Sequence, residues 1–75
     1  MEAVVEKWRR LEEEARELRR KEADWEFIES QPPRIKAALK LYIETGDIRL
    51  AARVAGIGLE EFREVLRAAR VPVVA

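Results

Sequence analysis

The sequence predicts an all-α fold, a long N-terminal coiled-coil-like helix followed by a three-helix unit, and three observations predict it. Residues 1–29 hold no glycine or proline and are dominated by Glu, Arg, Ala and Leu, all good helix formers. Gln31-Pro32-Pro33 then breaks the chain, because a proline keeps the residue before it out of the α conformation. From residue 34 to about 70, apolar residues recur three and four apart, punctuated only by Gly46 and Gly56-Ile57-Gly58.

The first element, residues 1–29, is read as one helix of about 43 Å at ~1.5 Å per residue. Val4, Trp8, Leu11, Ala15, Leu18 and Trp25 form its apolar stripe. Their spacing approximates the 3.5-residue period of a coiled coil, with Glu22 interrupting the seam, so this is the candidate oligomer interface. Glu6 with Arg10, Glu12 with Arg16 and Glu17 with Lys21 stand four apart, acid first, which suits exposed ion pairs. The unit from 32 to 70 comes next. Pro33 suits the first turn of a helix running to about Thr45, with Ile35, Leu39, Tyr42 and Ile43 on one side and Gly46 as its C-terminal cap. Asp47 caps a short helix, Ile48 to Ala55, and Gly56 takes the turn. The last helix starts after Gly58 and runs from Leu59 to about Arg70. The tail 71–75 is β-branched and broken by Pro72, fit either for a short edge strand or for lying against the core.

Composition narrows the function classes. Histidine and cysteine are both absent from the 75 residues, which removes disulfides, thiolate nucleophiles, the common zinc sites and histidine acid–base chemistry. With no phosphate-binding glycine loop either, no enzyme activity and no cofactor or metal is expected. A chain this short gains only about 3–5 kcal/mol from its core, so self-association is the expected remedy. Nothing approaches a membrane span or a signal peptide, and a cytoplasmic protein is expected. Charged residues make up 40% of the chain, arginine outnumbers lysine eleven to four, and asparagine is absent, a composition of thermophilic type. The net charge of zero conceals an asymmetry. Residues 1–29 carry ten acids and seven bases, and residues 30–75 carry five acids and eight bases.

The basic part contains the most informative run, Asp47 to Ala69. Ala51, Ala52 and Ala55 permit close helix approach, Ala55-Gly56-Ile57 makes a corner, and Phe62, Val65 and Leu66 supply the apolar plugs. These offsets predict a helix-turn-helix, a common way to present a helix to the DNA major groove. Arg63, Arg67 and Arg70 fall on one face of its last helix, and Arg49 and Arg53 lie four apart on the short one. These five arginines are the candidate DNA-binding residues, and Arg34, Lys36 and Lys40 widen the possible footprint. Glu60 and Glu64 border the same face and repel phosphate.

The run also resembles the C-terminal helix-turn-helix of a family of small prokaryotic proteins, some of them antitoxin-like and encoded beside PIN-domain nucleases. Ala37-Ala38-Leu39, Leu41-Tyr42, Gly46, Ile48, Leu50-Ala51-Ala52, Val54-Ala55-Gly56-Ile57, Glu61-Phe62, Leu66 and Val71-Pro72-Val73 carry the resemblance. Where that family's turn continues with serine and often a base, this chain has Gly58 and Leu59-Glu60. The resemblance implies a DNA-binding transcriptional regulator with a nuclease-toxin partner. The residues themselves predict a homodimer binding double-stranded DNA, with parallel or antiparallel pairing, and a tetramer of two such dimers, left open. The competing reading is a protein-interaction or scaffold module that uses the same fold without DNA.

Overall fold

The computed structural model describes residues 2–73, with side chains from residue 3 onward. Five helices follow one another: α1 (Glu2–Glu22), α2 (Trp25–Glu29), α3 (Pro33–Thr45), α4 (Ile48–Ala55) and α5 (Leu59–Ala68). No strand occurs among the described residues, and the fold is all-α as expected.

The N-terminal helix is not continuous to residue 29. It stops at Glu22, and Asp24 begins α2 by accepting a hydrogen bond from the Phe27 backbone N–H at 3.1 Å. Asp24 also donates its own N–H to the Ala69 carbonyl at 2.8 Å, tying the break to the far end of the chain. Composition conceals such a break, because an aspartate inside a helical pattern caps only when the chain turns there. The turn lets Ile28 become fully buried. It also takes Trp25 off the α1 stripe, where its indole N–H donates to the Arg20 carbonyl at 2.8 Å.

The unit from α3 to α5 follows the sequence closely. Pro33 opens α3, Asp47 caps α4 by accepting from the Leu50 N–H at 3.0 Å, and Gly58 precedes α5 without a side-chain cap. α4 packs on both α3 and α5, while α1 and α2 lie against α3. The core is built from Leu39, Tyr42 and Ile43 of α3, the three alanines 51, 52 and 55 of α4, and Phe62 and Leu66 of α5, closed by Ile28 and Val71. Tyr42 meets Phe62 edge to face, with ring centroids 6.4 Å apart.

Three helices end in a left-handed residue. Gly46 (φ 71°) and Gly56 (φ 73°) are the expected glycines, and the third is Arg70 (φ 58°). The last helix therefore ends at Ala68 rather than at Arg70. Val71 N–H bonds back to the Leu66 carbonyl and Arg70 N–H to the Arg67 carbonyl, the two-bond closure of a Schellman motif. This turn drives Val71 into the core at 4% exposure. Of the two expectations for the tail, packing against the core is what Val71 does; residues 74 and 75 lie outside the described residues.

Candidate nucleic-acid interface

α4 and α5 are joined by Gly56-Ile57-Gly58 alone and pack against each other, giving two helices and a three-residue turn. Alanines on the α4 face let the helices approach closely, and α5 answers with Phe62, fully buried. Leu66 is fully buried beside it and Leu59 and Val65 are half-buried, which leaves the charged side chains of α5 to solvent.

The five candidate arginines do not form one surface. Arg49 and Arg53 are exposed on α4, and neither has an ion-pair partner within 4.0 Å among the described residues. Arg63 and Arg67 on α5 stand 3.9 Å from Glu60 and 3.5 Å from Glu64. Both pairs are exposed, so each holds its arginine only weakly. Arg70 lies beyond the end of α5 in the left-handed conformation, so the i, i+4, i+7 face expected with Arg63 and Arg67 is not formed. The outward side of α5 is led by the side chains of Glu60, Arg67 and Glu64, exposed at 87%, 78% and 70%. Arg63 is turned toward the flank at 49%. With Arg67, Val71 and Val73 it lines an open cleft of ≈ 330 Å³.

The wider basic footprint has partners within the chain, although it stays at the surface. Arg34 donates from Nε to the Val54 carbonyl at 2.9 Å and lies over Gly56, where a Cβ would meet its guanidinium at 3.1 Å. Lys36 and Lys40 reach Glu29 at 3.5 and 3.0 Å. The hydrogen bond and charge of Lys40, with Lys36, hold the Glu29 carboxyl below its usual range.

The same device recurs at the end of α3, and here sequence reasoning missed it. Arg19 Nε donates to the Ile43 carbonyl at 2.8 Å and Arg16 Nε to the Glu44 carbonyl at 3.0 Å. Arg20 forks onto both Glu44 carboxylate oxygens at 2.7–3.0 Å. Arg19 is 8% exposed, and its guanidinium sits 5.7 Å from the Tyr42 ring centroid, a cation–π contact. Burial pushes the Tyr42 phenol above its usual range, and the charges of Arg19 and Arg63 oppose that shift. The available signal was a small-residue face: Ala15 and Ala23 flank Arg19 at helical spacing, leaving room for α1 to approach another helix. Arg16 serves α3 rather than pairing with Glu12, and none of the three i, i+4 pairs expected on α1 is among its ion pairs.

Of the candidate oligomer interface, Val4, Trp8, Leu11 and Leu18 stand exposed on α1 at 55%, 64%, 47% and 46%, with Ala15 half-buried. Trp25 sits apart on α2. Ala3, Val4, Lys7, Trp8 and Leu11 line a shallow groove of ≈ 520 Å³. Among the described residues, no helix is long and apolar enough to cross a membrane. Comparison with protein-family models, with curated proteins and with solved structures gave no match.

Proposed function

We propose that this chain is a small DNA-binding regulator that presents its helix-turn-helix to double-stranded DNA from a homodimer. The observation that carries the reading is the division of charge over the motif. α4 bears Arg49 and Arg53, exposed and unpaired among the described residues, beside an α5 whose outward side chains are exposed and polar. In helix-turn-helix proteins the first helix crosses the phosphate backbone while the start of the second meets base edges. Arg49 and Arg53 suit the first task, because an arginine forks onto phosphate oxygens.

The acids on α5 then have a role. Glu60, in the first turn of α5 and the more exposed partner of its pair with Arg63, is placed to accept from the N4 amino group of cytosine. Arg67 supplies a donor for guanine or phosphate.

Selection from a pool of random duplexes, followed by anisotropy titration at several salt concentrations, tests the reading. Binding is expected to weaken steeply with salt, and Arg49→Ala with Arg53→Ala, which removes a phosphate contact per arginine from each of two protomers, should lower the log–log slope by about 3.6. Glu60→Gln should shift preference from cytosine to adenine at one position. Failure to bind any duplex at about 50 mM salt refutes the proposal.

A second reading, a protein-interaction module, is favoured by the two glutamates on the outward side of α5 and by the apolar stripe of α1. It predicts the absence of any salt-dependent DNA binding. An antitoxin-like pairing with a nuclease is the form of partnership suggested by the resemblance of the C-terminal half.

A further inference from the structure

The seam of α1 is built from Val4, Trp8, Leu11 and Ala15, spaced four, three and four apart. α1 docks on its own unit through Arg16, Arg19 and Ala23. At about 100° per residue, that docking face lies roughly a quarter turn from the seam. The two faces adjoin at Ala15, which is half-buried, but docking leaves the rest of the seam open: Trp8 is 64% and Leu11 47% exposed where Arg19 is 8% exposed. An open seam on a docked helix is available to another helix.

We propose that this seam pairs antiparallel with α1 of a second copy, in a register that seats Trp8 of each copy against Leu11 of the other and Val4 against Ala15. The function of such a pair rests on the DNA-binding reading; its geometry does not. Charge agrees with a second copy as occupant. Lys7 and Glu14 share the flank of the seam away from the docking face, and antiparallel pairing sets Lys7 of each copy against Glu14 of the other, twice by symmetry. A parallel pair would also bring Lys7 near an acid, Glu12, so charge leaves the direction open.

Volume decides the direction. Parallel helices stack like on like, with Trp8 on Trp8 in one layer and Ala15 on Ala15 two layers on, so one layer is overfilled and another underfilled; both are destabilising. The antiparallel register gives two Trp8–Leu11 layers flanked by two Val4–Ala15 layers, with the small alanine always opposite a larger residue. At 64% exposure, each Trp8 has roughly 100–160 Å² to bury. The two tryptophans alone supply about a fifth to a third of the roughly 1,000 Å² that a stable interface needs.

The register also sets where the two units stand. Arg19 of one copy and Arg19 of the other lie 19 residues apart along the pair, or roughly 29 Å at ~1.5 Å per residue. Each unit is anchored at that point, so the two motifs are mounted at opposite ends on the scale of one DNA turn, about 34 Å.

Because the chain has no cysteine, single-cysteine variants read the direction. Val4→Cys and Ala15→Cys, mixed and mildly oxidised, are expected to give a disulfide-linked heterodimer by mass, while Val4→Cys alone gives none. Linkage of Val4→Cys to itself, or no linkage in the mixture, overturns the register. Sedimentation equilibrium at micromolar concentration should show a dimer for the unaltered chain and at least about tenfold weaker association for Trp8→Ala, whose α3–α5 unit still unfolds cooperatively. A monomeric unaltered chain overturns the pairing itself. Both measurements are made without DNA, so their failure leaves the regulator reading to its own titration.

Discussion

Both ends of α1 are rich in the same residues, Glu, Arg, Ala and Leu, yet the chain treats them differently. Residues 15–22 are held by Arg16, Arg19 and Arg20, which reach the carbonyls of Ile43 and Glu44 and the Glu44 carboxylate. Every described side chain from 3 to 14 is exposed. Helix propensity is shared, whereas tertiary support is not. An isolated helix of about 12–15 residues is marginal in water, so the first half of α1 lacks the support within the chain that the second half has.

The largest test of this contrast removes the platform. Phe62 is fully buried between α5 and the α3–α4 layer, and Phe62→Ala should cost about 3–5 kcal/mol, comparable to the whole stability of a chain this size. Circular dichroism should show the variant largely unfolded at room temperature, with both ends of α1 equally unsupported. A cooperative transition close to that of the unaltered chain would mean that α1 stabilises itself.

Arg19→Met is the next largest, since it keeps an apolar stem but loses the donor to Ile43. It should cost about 1.5–3 kcal/mol, the usual loss of a buried charge-assisted hydrogen bond. Hydrogen exchange should show it acting on residues 15–22 and on the end of α3, with little change at residues 3–12, which Arg19 does not support. Uniform loss of protection along all of α1 would erase the distinction between its ends.

Smaller still, Arg70→Gly should raise stability by about 1 kcal/mol, because arginine in the left-handed region is strained and glycine is not. The gain should reach the docked end of α1, since Asp24 hangs on the Ala69 carbonyl beside that turn. Unchanged thermal stability would show that the turn bears no strain.

The smallest effect is on pH dependence. A phenol whose folded pKa is raised favours the folded state below the unfolded value near 10, and this contribution is lost as pH rises through the higher folded value. Alkaline titration should therefore loosen the docked end, where Tyr42 lies under Arg19, and Tyr42→Phe should remove that part of the loss. An identical alkaline profile in the variant would mean that Tyr42 does not titrate with folding.

Much of the fold was legible in the sequence because it is local. Asp47, Gly46, Gly56 and Pro33 announce helix ends by backbone chemistry alone, and the alanines of α4 announce close packing. Two features required the third dimension. Asp24 ends a helix only because Ile28 gains the core by turning there, and Arg70 adopts a glycine-like conformation only because Val71 gains it. The candidate site was less legible, since an arginine in a sequence does not show its partner. Arg34, Lys36 and Lys40 belonged by composition to a basic footprint, but a helix terminus and Glu29 claim them. Arg49 and Arg53 keep the exposure expected of them.

The bond from Arg16 to Glu44 spans 28 residues, and it orders events during synthesis. α1 is synthesised roughly 1–4 s before the end of α3 that receives it, at about 5–20 residues per second. For that interval Trp8 and Leu11 stand uncovered, as do Trp25, Phe27 and Ile28 further along the nascent chain. Neighbouring ribosomes on one message hold such seams close together. Under the proposed pairing, one face of α1 is ready for a second copy before the other face has its dock.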